Sequence, residues 1–264
     1  MNLELKGKTV FITGSTAGIG FATAKALLSE GARVILNGRT SASVDAAIKR
    51  LEQAFPDEMI SGIAADFSLQ NEVNSLLENL PKIDVLINNV GVYSSGSFFK
   101  TDDAEWYRQF EVNVMSGVRL SKSILPCMLA NNWGRILFIS SECASLTPPD
   151  LIAYSMTKAA ILAVSRGLAQ LTKGTNVTVN SVIPGSTLSE GAEQFLEDAA
   201  QKEQKTKDEI ENAFFKEART SSLLQRFAKV EEVADTIAYI ASSRSSATNG
   251  SAIKVDGGTS GGLF

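Results

Sequence analysis

Tyr154 and Lys158 are the two residues whose types and spacing most directly indicate chemistry. Residues four apart share one face of a helix, so a phenol and an ammonium would lie side by side. An ammonium stabilises a neighbouring phenolate, and we expect it to lower the tyrosine pKa from its ordinary value of about 10. Such a phenol can give a proton to a carbonyl oxygen or take one back from an alcohol. Taken alone, this spacing also occurs on many helices for structural reasons.

Ser141 stands thirteen residues before the tyrosine and is predicted to hold a substrate oxygen by a hydrogen bond. Ser140 competes for this role, and the thirteen-residue offset favours Ser141. Cys143 lies close by, but without a histidine or metal partner it is interpreted as part of a pocket wall. The sequence contains no histidine, which excludes Ser-His-Asp hydrolases, histidine-ligated zinc and a histidine base. No metal site is predicted.

A glycine-rich stretch directly follows the apolar run Thr9–Ile12 near the start of the chain. Its spacing is Thr-Gly-x-x-x-Gly-x-Gly, which lets the chain turn sharply and brings backbone N–H groups close to a pyrophosphate. The helix that follows would add its positive dipole end. A nicotinamide dinucleotide is therefore predicted to bind here, at Gly14, Ser15, Thr16, Gly18, Ile19 and Gly20.

The end of the second predicted strand bears on which dinucleotide is used. It reads Asn37-Gly38-Arg39, with no acidic residue to bind the adenine ribose hydroxyls and repel a 2′-phosphate. Arg39 offers a planar, permanently charged group suited to phosphate. NADP(H) is therefore favoured. NAD(H) stays an alternative, with Arg39 solvated, because Ala17 offers no second basic side chain.

Short apolar runs alternate with longer amphipathic stretches along the chain. This order predicts an α/β fold: a single domain over 1–264 with a Rossmann-type, doubly wound parallel sheet of about seven strands and helices on both faces. Strands are predicted at 8–13, 32–37, 59–65, 83–88, 134–140, 176–183 and 252–255. Helices are predicted at 18–30, 41–55, 69–79, 102–125, 152–173 and 230–241.

Residues 187–222, which we call the lid segment, break this alternation. The segment is charged and carries apolar residues at helical spacing, which predicts one or two amphipathic helices. Ligands of such sheets bind beyond the carboxyl ends of the strands, so we expect the segment to cover the substrate. A plain surface excursion is the alternative interpretation.

Composition limits the classes of partner and location. The chain is 44% hydrophobic and 20% charged, with a net charge of −4, so neither nucleic acid nor an anionic membrane is an expected partner. No apolar run approaches the ~18 residues that a membrane span needs. No secretory signal pattern is recognised, and Cys127 and Cys143 are expected to be free thiols. The cytoplasm is therefore the expected location.

Taken together, these motifs resemble the short-chain dehydrogenase/reductase family over residues 5–258. The motifs that match in family order are the glycine loop, Asp66, Asn88-Asn89-Val90-Gly91, Asn113, Ser141, Tyr154-x-x-x-Lys158, Pro184-Gly185 and Val255-Asp256-Gly257-Gly258. Val90 departs from the alanine that is usual there. The resemblance implies a sheet of about seven strands and assembly as a homotetramer or homodimer.

The resemblance also implies roles for particular residues. Asn113 would anchor a water in a proton relay, although it could instead cap or bridge backbone. Tyr154 and Lys158 would contact the cofactor as well as the substrate, Lys158 at the nicotinamide ribose. The remaining implied contacts are to adenine by Asp66 and Phe67, to ribose by Asn88 and Gly91, and to the nicotinamide amide by Pro184, Gly185 and Thr187.

The predicted function is an NAD(P)H-dependent oxidoreductase that reduces a ketone or related carbonyl to an alcohol, reversibly. One alternative is a 3-oxoacyl-thioester (acyl-carrier-protein) reductase, for which Arg135 and Lys173 could form a docking patch. Another is a non-catalytic NAD(P)-binding regulatory protein. The stretches 91–98, 142–152 and 186–222 are expected to line the substrate pocket, and they contain no lysine or arginine before Lys202. A neutral or apolar carbonyl compound is therefore expected, with a pocket wall of Tyr93, Phe98, Leu146, Leu151, Leu188 and Phe195.

Overall fold

The computed structural model describes residues 2–262 and contains a central sheet of seven strands. Every neighbouring pair in this sheet is parallel, in the order β3-β2-β1-β4-β5-β6-β9. The strands are β1 Thr9–Ile12, β2 Arg33–Gly38, β3 Ile60–Ala64, β4 Val85–Asn88, β5 Gly134–Ile139, β6 Val177–Pro184, β7 Thr187–Leu188, β8 Ala228–Lys229 and β9 Ala252–Val255. The seven strands predicted from sequence are all confirmed. β7 and β8 were not predicted and form a separate two-stranded sheet.

Helices cover both faces of the large sheet, as predicted. Their bounds are α1 Gly18–Ser29, α2 Ser41–Ala54, α3 Gln70–Asn79, α4 Asp103–Phe110, α5 Ser116–Ala130, α6 Cys143–Leu146, α7 Ile152–Leu171, α8 Glu190–Glu203, α9 Lys207–Glu217 and α10 Val230–Ile240. Alternate strand residues enter two different cores: Val10 packs with side chains of α1, α2 and α10, whereas Phe11 packs with side chains of α3, α5 and α7. Each fully buried aliphatic or aromatic side chain contributes about 1.5–3 kcal/mol of transfer free energy to folding.

The prediction of one continuous helix over 102–125 is wrong in two respects. A π-helical segment, Glu111–Met115, separates α4 from α5, and α5 continues beyond Pro126 to Ala130. Proline removes an N–H and displaces the carbonyl four residues earlier, which belongs to Lys122. Both Pro126 and Lys122 are exposed, so water can reach that carbonyl, while the buried Leu125 and Met128 hold the helix against the sheet.

The sheet order places a crevice where the cofactor motifs meet. The chain runs outward in one direction through β1, β2 and β3 and in the other through β4, β5 and β6, so the order reverses between β1 and β4. Ligands of open parallel sheets bind at this reversal, beyond the carboxyl ends of the strands. The glycine loop after β1 and the Asn-Asn-Val-Gly loop after β4 both lie there. The lid segment follows β6 at the same edge and forms β7, α8 and α9, which confirms the predicted amphipathic helices.

Candidate active site

Tyr154 and Lys158 lie on α7, and Ser141 follows the end of β5. The Lys158 Nζ lies 5.5 Å from the centroid of the Tyr154 ring. It donates a hydrogen bond to the Ile139 carbonyl at 2.8 Å, which anchors α7 to β5. The Ser141 hydroxyl is close enough to the Tyr154 phenol to act on its pKa, and both side chains line one cavity with Lys158. Three of the four side chains predicted to be catalytic are therefore brought together, and Asn113 is the fourth.

The two neighbouring serines differ in their hydrogen bonds. The Ser140 hydroxyl is buried and donates to the Lys158 backbone carbonyl at 2.8 Å. It therefore helps to hold α7 against the sheet. Ser141 is only half-buried and accepts from the Cys143 N–H at 3.2 Å, which leaves its O–H free to be directed at a second partner.

The direction of the Tyr154 pKa differs from the expectation. Burial raises the pKa of Tyr154 above its ordinary value, and the nearby Ser141 hydroxyl opposes this only in part. Burial also lowers the pKa of Lys158 to about 8. The predicted lowering of the tyrosine pKa is therefore wrong here, because desolvation of the phenolate outweighs an ammonium that is directed at the Ile139 carbonyl. The phenol keeps its proton at neutral pH, which is the form that can donate.

Asn113 bridges backbone and the catalytic helix. It lies in the π-helical segment, is buried, and its Oδ1 accepts from the Val92 N–H at 2.7 Å. Its Nδ2 donates to the Val92 carbonyl at 2.8 Å and to the Thr157 hydroxyl at 3.0 Å. A Cβ on Gly91 would lie 3.3 Å from the Lys158 Nζ and 3.6 Å from Asn113 Oδ1. Asn113 thus positions the loop after β4 beside the lysine, and its role in a proton relay stays a prediction.

The glycine loop can make its tight turn only because its glycines lack side chains. A Cβ on Gly20 would lie 2.5 Å from the Gly14 carbonyl oxygen and 2.7 Å from Asn89 Nδ2. Gly14 has a φ of +59° and Gly18 a φ of +56°, a region that favours glycine. Ser15 is fully buried, and its hydroxyl donates to the Ile12 carbonyl at 2.8 Å. Its side chain therefore shapes the loop from inside the protein.

The start of α1 binds an anionic group of the protein itself. The Gly18 N–H donates to Oε2 of Glu190, in the first turn of α8, at 2.7 Å. A carboxylate at this N–H shows that the start of α1 offers a backbone donor and a helix dipole to negative charge. The residues present therefore fit the pyrophosphate of a dinucleotide, and they also place a lid-segment carboxylate beside it.

Of the two adjacent asparagines at the end of β4, Asn88 belongs to the strand and Asn89 lies at the crevice. The Asn88 side chain is buried beneath Gly117, whose Cβ would lie 3.4 Å from Asn88 Cγ. Asn89 lines the cavity and its Nδ2 donates to the Thr13 and Gly14 carbonyls at 2.9 and 2.8 Å. The sequence assignment omitted Asn89, although the strand alternation of side chains could have separated the two.

The residues assigned to the adenine half of the cofactor lie beyond the second and third strands. Arg39 is exposed, whereas the Phe67 side chain is buried in the core, so any contact of Phe67 with adenine would use its backbone. The Asp66 Oδ1 accepts from the Ser68 N–H and hydroxyl at 2.8 and 2.7 Å. Burial acts to raise the pKa of Asp66, but these hydrogen bonds and the charge of Arg39 lower it overall.

A cavity of about 820 Å³ connects the glycine loop, the residues predicted to be catalytic and the lid segment. Gly18, Ile19, Gly20, Gly91, Pro184, Gly185 and Thr187 line it, together with Ser141, Tyr154 and Lys158. A Cβ on Gly185 would lie 2.7 Å from the Asp256 backbone, which explains why glycine is needed beside the Val-Asp-Gly-Gly motif.

The lining of the substrate end of this cavity agrees only in part with the expectation. Among the predicted apolar wall residues, Tyr93, Leu151 and Phe195 line it, whereas Phe98, Leu146 and Leu188 are not part of its lining. Arg219, near the end of the lid segment, also lines it, and it lies beyond the part of the pocket stretches before Lys202 that contains no basic residue. Arg219 is paired with Glu142, 77 residues earlier, a pairing that no local spacing indicates.

Two kinds of feature are absent from residues 2–262. No group of three histidine, cysteine, aspartate or glutamate side chains is placed there to hold a metal ion. No helix in that range combines the length and the apolar character needed to cross a membrane.

Comparison with known proteins agrees with this geometry. A family model described as short chain dehydrogenase matches residues 8–200. Oxidoreductase YvrD of Bacillus subtilis is 48% identical over 98% of both chains, and the 3-oxoacyl-[acyl-carrier-protein] reductase of Thermotoga maritima is 28% identical over 97% of this chain and 99% of that one. The crystal structure of L-sorbose reductase from Gluconobacter frateurii, complexed with NADPH and L-sorbose, covers 100% of both chains at 28% identity with a TM-score of 0.93. The chain belongs to the short-chain dehydrogenase/reductase family of oxidoreductases.

Proposed function

We propose that this protein reduces a ketone to a secondary alcohol with NADPH. The observation that carries the proposal is the convergence of Ser141, Tyr154 and Lys158 in one cavity with the glycine loop. When bound, the reduced nicotinamide supplies a hydride to the carbonyl carbon. The products are the alcohol and the oxidised cofactor, and one proton is consumed.

The chain's own residues handle that proton and the substrate oxygen. Ser141 donates a hydrogen bond to the carbonyl oxygen and stabilises the negative charge that develops on it. Tyr154 holds its proton at neutral pH and transfers it to this oxygen. The Lys158 ammonium then stabilises the phenolate until a proton returns from solvent. Asn113 supports this return by fixing the loop beside Lys158.

The preference for NADPH is supported by Arg39 and by the absence of an acidic residue at the end of β2. The guanidinium is exposed and close enough to Asp66 to lower the pKa of that carboxyl. A 2′-phosphate would provide it with a stronger, bidentate partner. The L-sorbose reductase, which was crystallised with NADPH, supports the same choice.

Reduction of a 3-oxoacyl thioester is the second candidate, and the relative from Thermotoga maritima favours it. The docking patch expected for it loses one member in this structure. Arg135 is buried and donates to the Ser242, Gly134 and Asn176 carbonyls, so it cannot meet a carrier protein. A regulatory role without turnover is disfavoured by the complete catalytic group. Assembly as a homotetramer or homodimer and a cytoplasmic location stay predictions.

Initial rates of NADPH and NADH oxidation with ketones, diketones and acyl thioesters test the proposal. We expect turnover of ketones with NADPH preferred, and we expect Arg39→Asp to weaken NADPH while sparing NADH. A Lys49→Asp variant, on the exposed face of α2, matches the charge change away from β2. If Arg39→Asp leaves the ratio of the rates with NADPH and NADH unchanged, Arg39 does not bind the 2′-phosphate. Saturable cofactor binding without any turnover would favour the regulatory alternative.

A further inference from the structure

Three phenylalanines line the cavity on the side of the lid segment. Phe195 lies on α8 and Phe214 on α9, while Phe227 directly precedes β8, and the same cavity is lined by Tyr154. Phe227 is buried and Phe214 is half-buried, but Phe195 is 54% exposed. An apolar ring that the protein leaves uncovered in a cavity wall gains free energy when a ligand removes it from water.

A short series of contacts connects these rings with the residue proposed to hold the carbonyl oxygen. Glu142 directly follows Ser141, and its Oε1 accepts from the Arg219 Nε at 2.7 Å. The guanidinium carbon of Arg219 lies 5.4 Å from the centroid of the Phe214 ring. The centroids of Phe214 and Phe227 are 5.1 Å apart. Only one side chain therefore separates Phe214 from the neighbour of Ser141.

The arrangement of the rings favours an aromatic ligand over a saturated one. The Phe214 and Phe227 rings are stacked, with 20° between their planes. Phe215 packs edge to face against both, at 86° and 75°. Aromatic rings in these arrangements gain more free energy than their buried area alone accounts for. A ligand ring against the cavity side of this cluster would continue the same pattern, whereas a saturated ring would contribute only its buried area.

The charges in the cavity favour an uncharged ligand. The lining contains two cations, of which Arg219 is paired with Glu142 and Lys158 donates to a backbone carbonyl. The carboxylates of Asp150 and Glu190 also line the cavity and balance these two charges. Phenylalanine rings offer no hydrogen bond to a carboxylate that is removed from water. A ligand group that packs against them is therefore expected to be uncharged.

We propose that Phe195, Phe214 and Phe227 form an aromatic subsite, and that the ketone reduced at Tyr154 is an uncharged ketone that carries an aryl group. The inference rests on the proposed function for the reacting carbonyl. It narrows the neutral or apolar carbonyl compound expected from sequence to one whose larger substituent is an aromatic ring. The carbonyl oxygen lies at Ser141 and Tyr154, and the aryl group packs against the three phenylalanines.

Three methyl ketones test the aromatic subsite. 4-Phenyl-2-butanone and 4-cyclohexyl-2-butanone differ only in whether the ring is aromatic, and 2-butanone lacks the ring. With NADPH, we expect kcat/KM for 4-phenyl-2-butanone to exceed that for 2-butanone by about 10- to 100-fold, as for the burial of one large apolar side chain. It should exceed that for 4-cyclohexyl-2-butanone by about two- to tenfold, because only the aromatic ring gains the additional ring–ring interaction. If either comparison ketone is reduced as well as 4-phenyl-2-butanone, the aromatic subsite is refuted.

A substituent on the ring tests whether the ligand must be uncharged. 4-(3-Oxobutyl)benzoate and 4-(3-oxobutyl)benzamide have nearly the same shape and differ by one charge. We expect kcat/KM for the amide to be higher by about tenfold or more, because the carboxylate loses its hydration against phenylalanine rings. Equal or faster reduction of the benzoate would overturn the uncharged class of substrate.

Phe195→Leu and Phe214→Leu each remove one ring and keep an apolar side chain. Each is expected to lower the preference for the phenyl over the cyclohexyl ketone about twofold or more. Phe195 is half-exposed, so its replacement tests the subsite without disturbing the core of the lid segment. Phe99→Leu is the matched control, because that side chain is exposed and does not line the cavity, and it should keep the wild-type preference. If the two cavity variants lower kcat/KM equally for all three ketones, the rings only shape the lid segment and the subsite is refuted.

A binding measurement separates this inference from the proposed reaction. If the cofactor binds but no ketone is turned over, the proposed function fails, and calorimetry on the NADP⁺-saturated protein tests the aromatic subsite by itself. Binding of 4-phenyl-2-butanone about tenfold or more tighter than that of 2-butanone, weakened in Phe214→Leu but not in Phe99→Leu, would support it. Binding that is absent, equal for the two ketones or unchanged in Phe214→Leu would overturn it.

Discussion

The catalytic residues and the lid segment are held in place by different means. Ser141, Tyr154 and Lys158 are fixed to the central sheet, through β5 and through the bond from Lys158 to Ile139. The lid segment instead has a small core of its own, made of Leu196, Ile210 and Phe215 together with Phe227, separate from the two sheet cores. Few polar bonds connect it to the sheet, among them Glu190 to Gly18 and Arg219 to Glu142.

This difference suggests that the two regions have separate functions. Groups that transfer a proton must stay within hydrogen-bond distance of the reacting oxygen, and a seven-stranded sheet provides that rigidity. Groups that select a substrate can be exchanged without disturbing the sheet when they lie on a segment with its own core. Substitutions in the catalytic region should therefore lower the turnover of every substrate. Substitutions in the lid segment should change the affinity for selected substrates or for the cofactor.

Tyr154→Phe is expected to have the largest effect. It removes the proton donor while keeping the ring beside Tyr93, whose centroid lies 5.7 Å away. Loss of a general acid typically costs about 10²–10⁴-fold, so kcat should fall by about 10³ for every ketone. The NADPH dissociation constant, measured by cofactor fluorescence, should change little. A kcat within tenfold of the wild-type value would show that Tyr154 is not the acid. The region fixed to the central sheet would then not be the catalytic one.

Phe215→Ala tests whether the lid segment is a separate unit. Phe215 is buried against Phe214 and Phe227, and loss of a buried phenylalanine typically costs about 3–5 kcal/mol of stability. We expect the lost stability to be confined to the lid segment. Proteolysis within 187–222 should then be faster and the ketone KM about tenfold higher, while the midpoint temperature of the main thermal transition should change little.

Phe99→Ala is its control, because that side chain is 94% exposed and lies outside the lid segment. It should change neither the proteolysis pattern nor KM. If Phe215→Ala instead lowers the main unfolding temperature by the full amount, the lid segment and the sheet unfold together, and the two regions are not separable.

The lysine of the catalytic region predicts the pH dependence. Burial disfavours the charged form, so the pKa of Lys158 falls to about 8. Its ammonium is present below this pH and is lost above it, and with it goes the charge that stabilises the Tyr154 phenolate. The kcat/KM for ketone reduction should therefore be level below about pH 7 and fall up to tenfold per unit above pH 8. Lys158→Met should be slow and lack this step. A wild-type profile that rises from pH 7 to 10 would contradict the assignment.

Local patterns account for what the sequence could predict. The glycine loop, the alternation of strands and helices, and the spacing of Tyr154 and Lys158 all lie within short stretches of chain. The contacts of the lid segment with the rest of the chain do not: Glu142 and Arg219 are 77 residues apart, and Gly18 and Glu190 are 172 apart. Likewise, the raised pKa of Tyr154 depends on burial, which a spacing rule does not contain.

Glu190→Gln has the smallest expected effect and tests the link between the two regions. The carboxylate accepts from the Gly18 N–H at 2.7 Å, at the helix end where a diphosphate is proposed to bind. An anion at a helix N-terminus is stabilised by about 0.3–1 kcal/mol, so removing its charge should tighten NADPH binding about two- to fivefold. Titration of cofactor fluorescence measures this directly, and Glu193→Gln, three residues along α8, is the matched control. Weaker binding in Glu190→Gln would mean that lid segment and cofactor hold each other in place. The lid segment would then belong to the cofactor site. It would select the substrate only after the bound cofactor had ordered the segment.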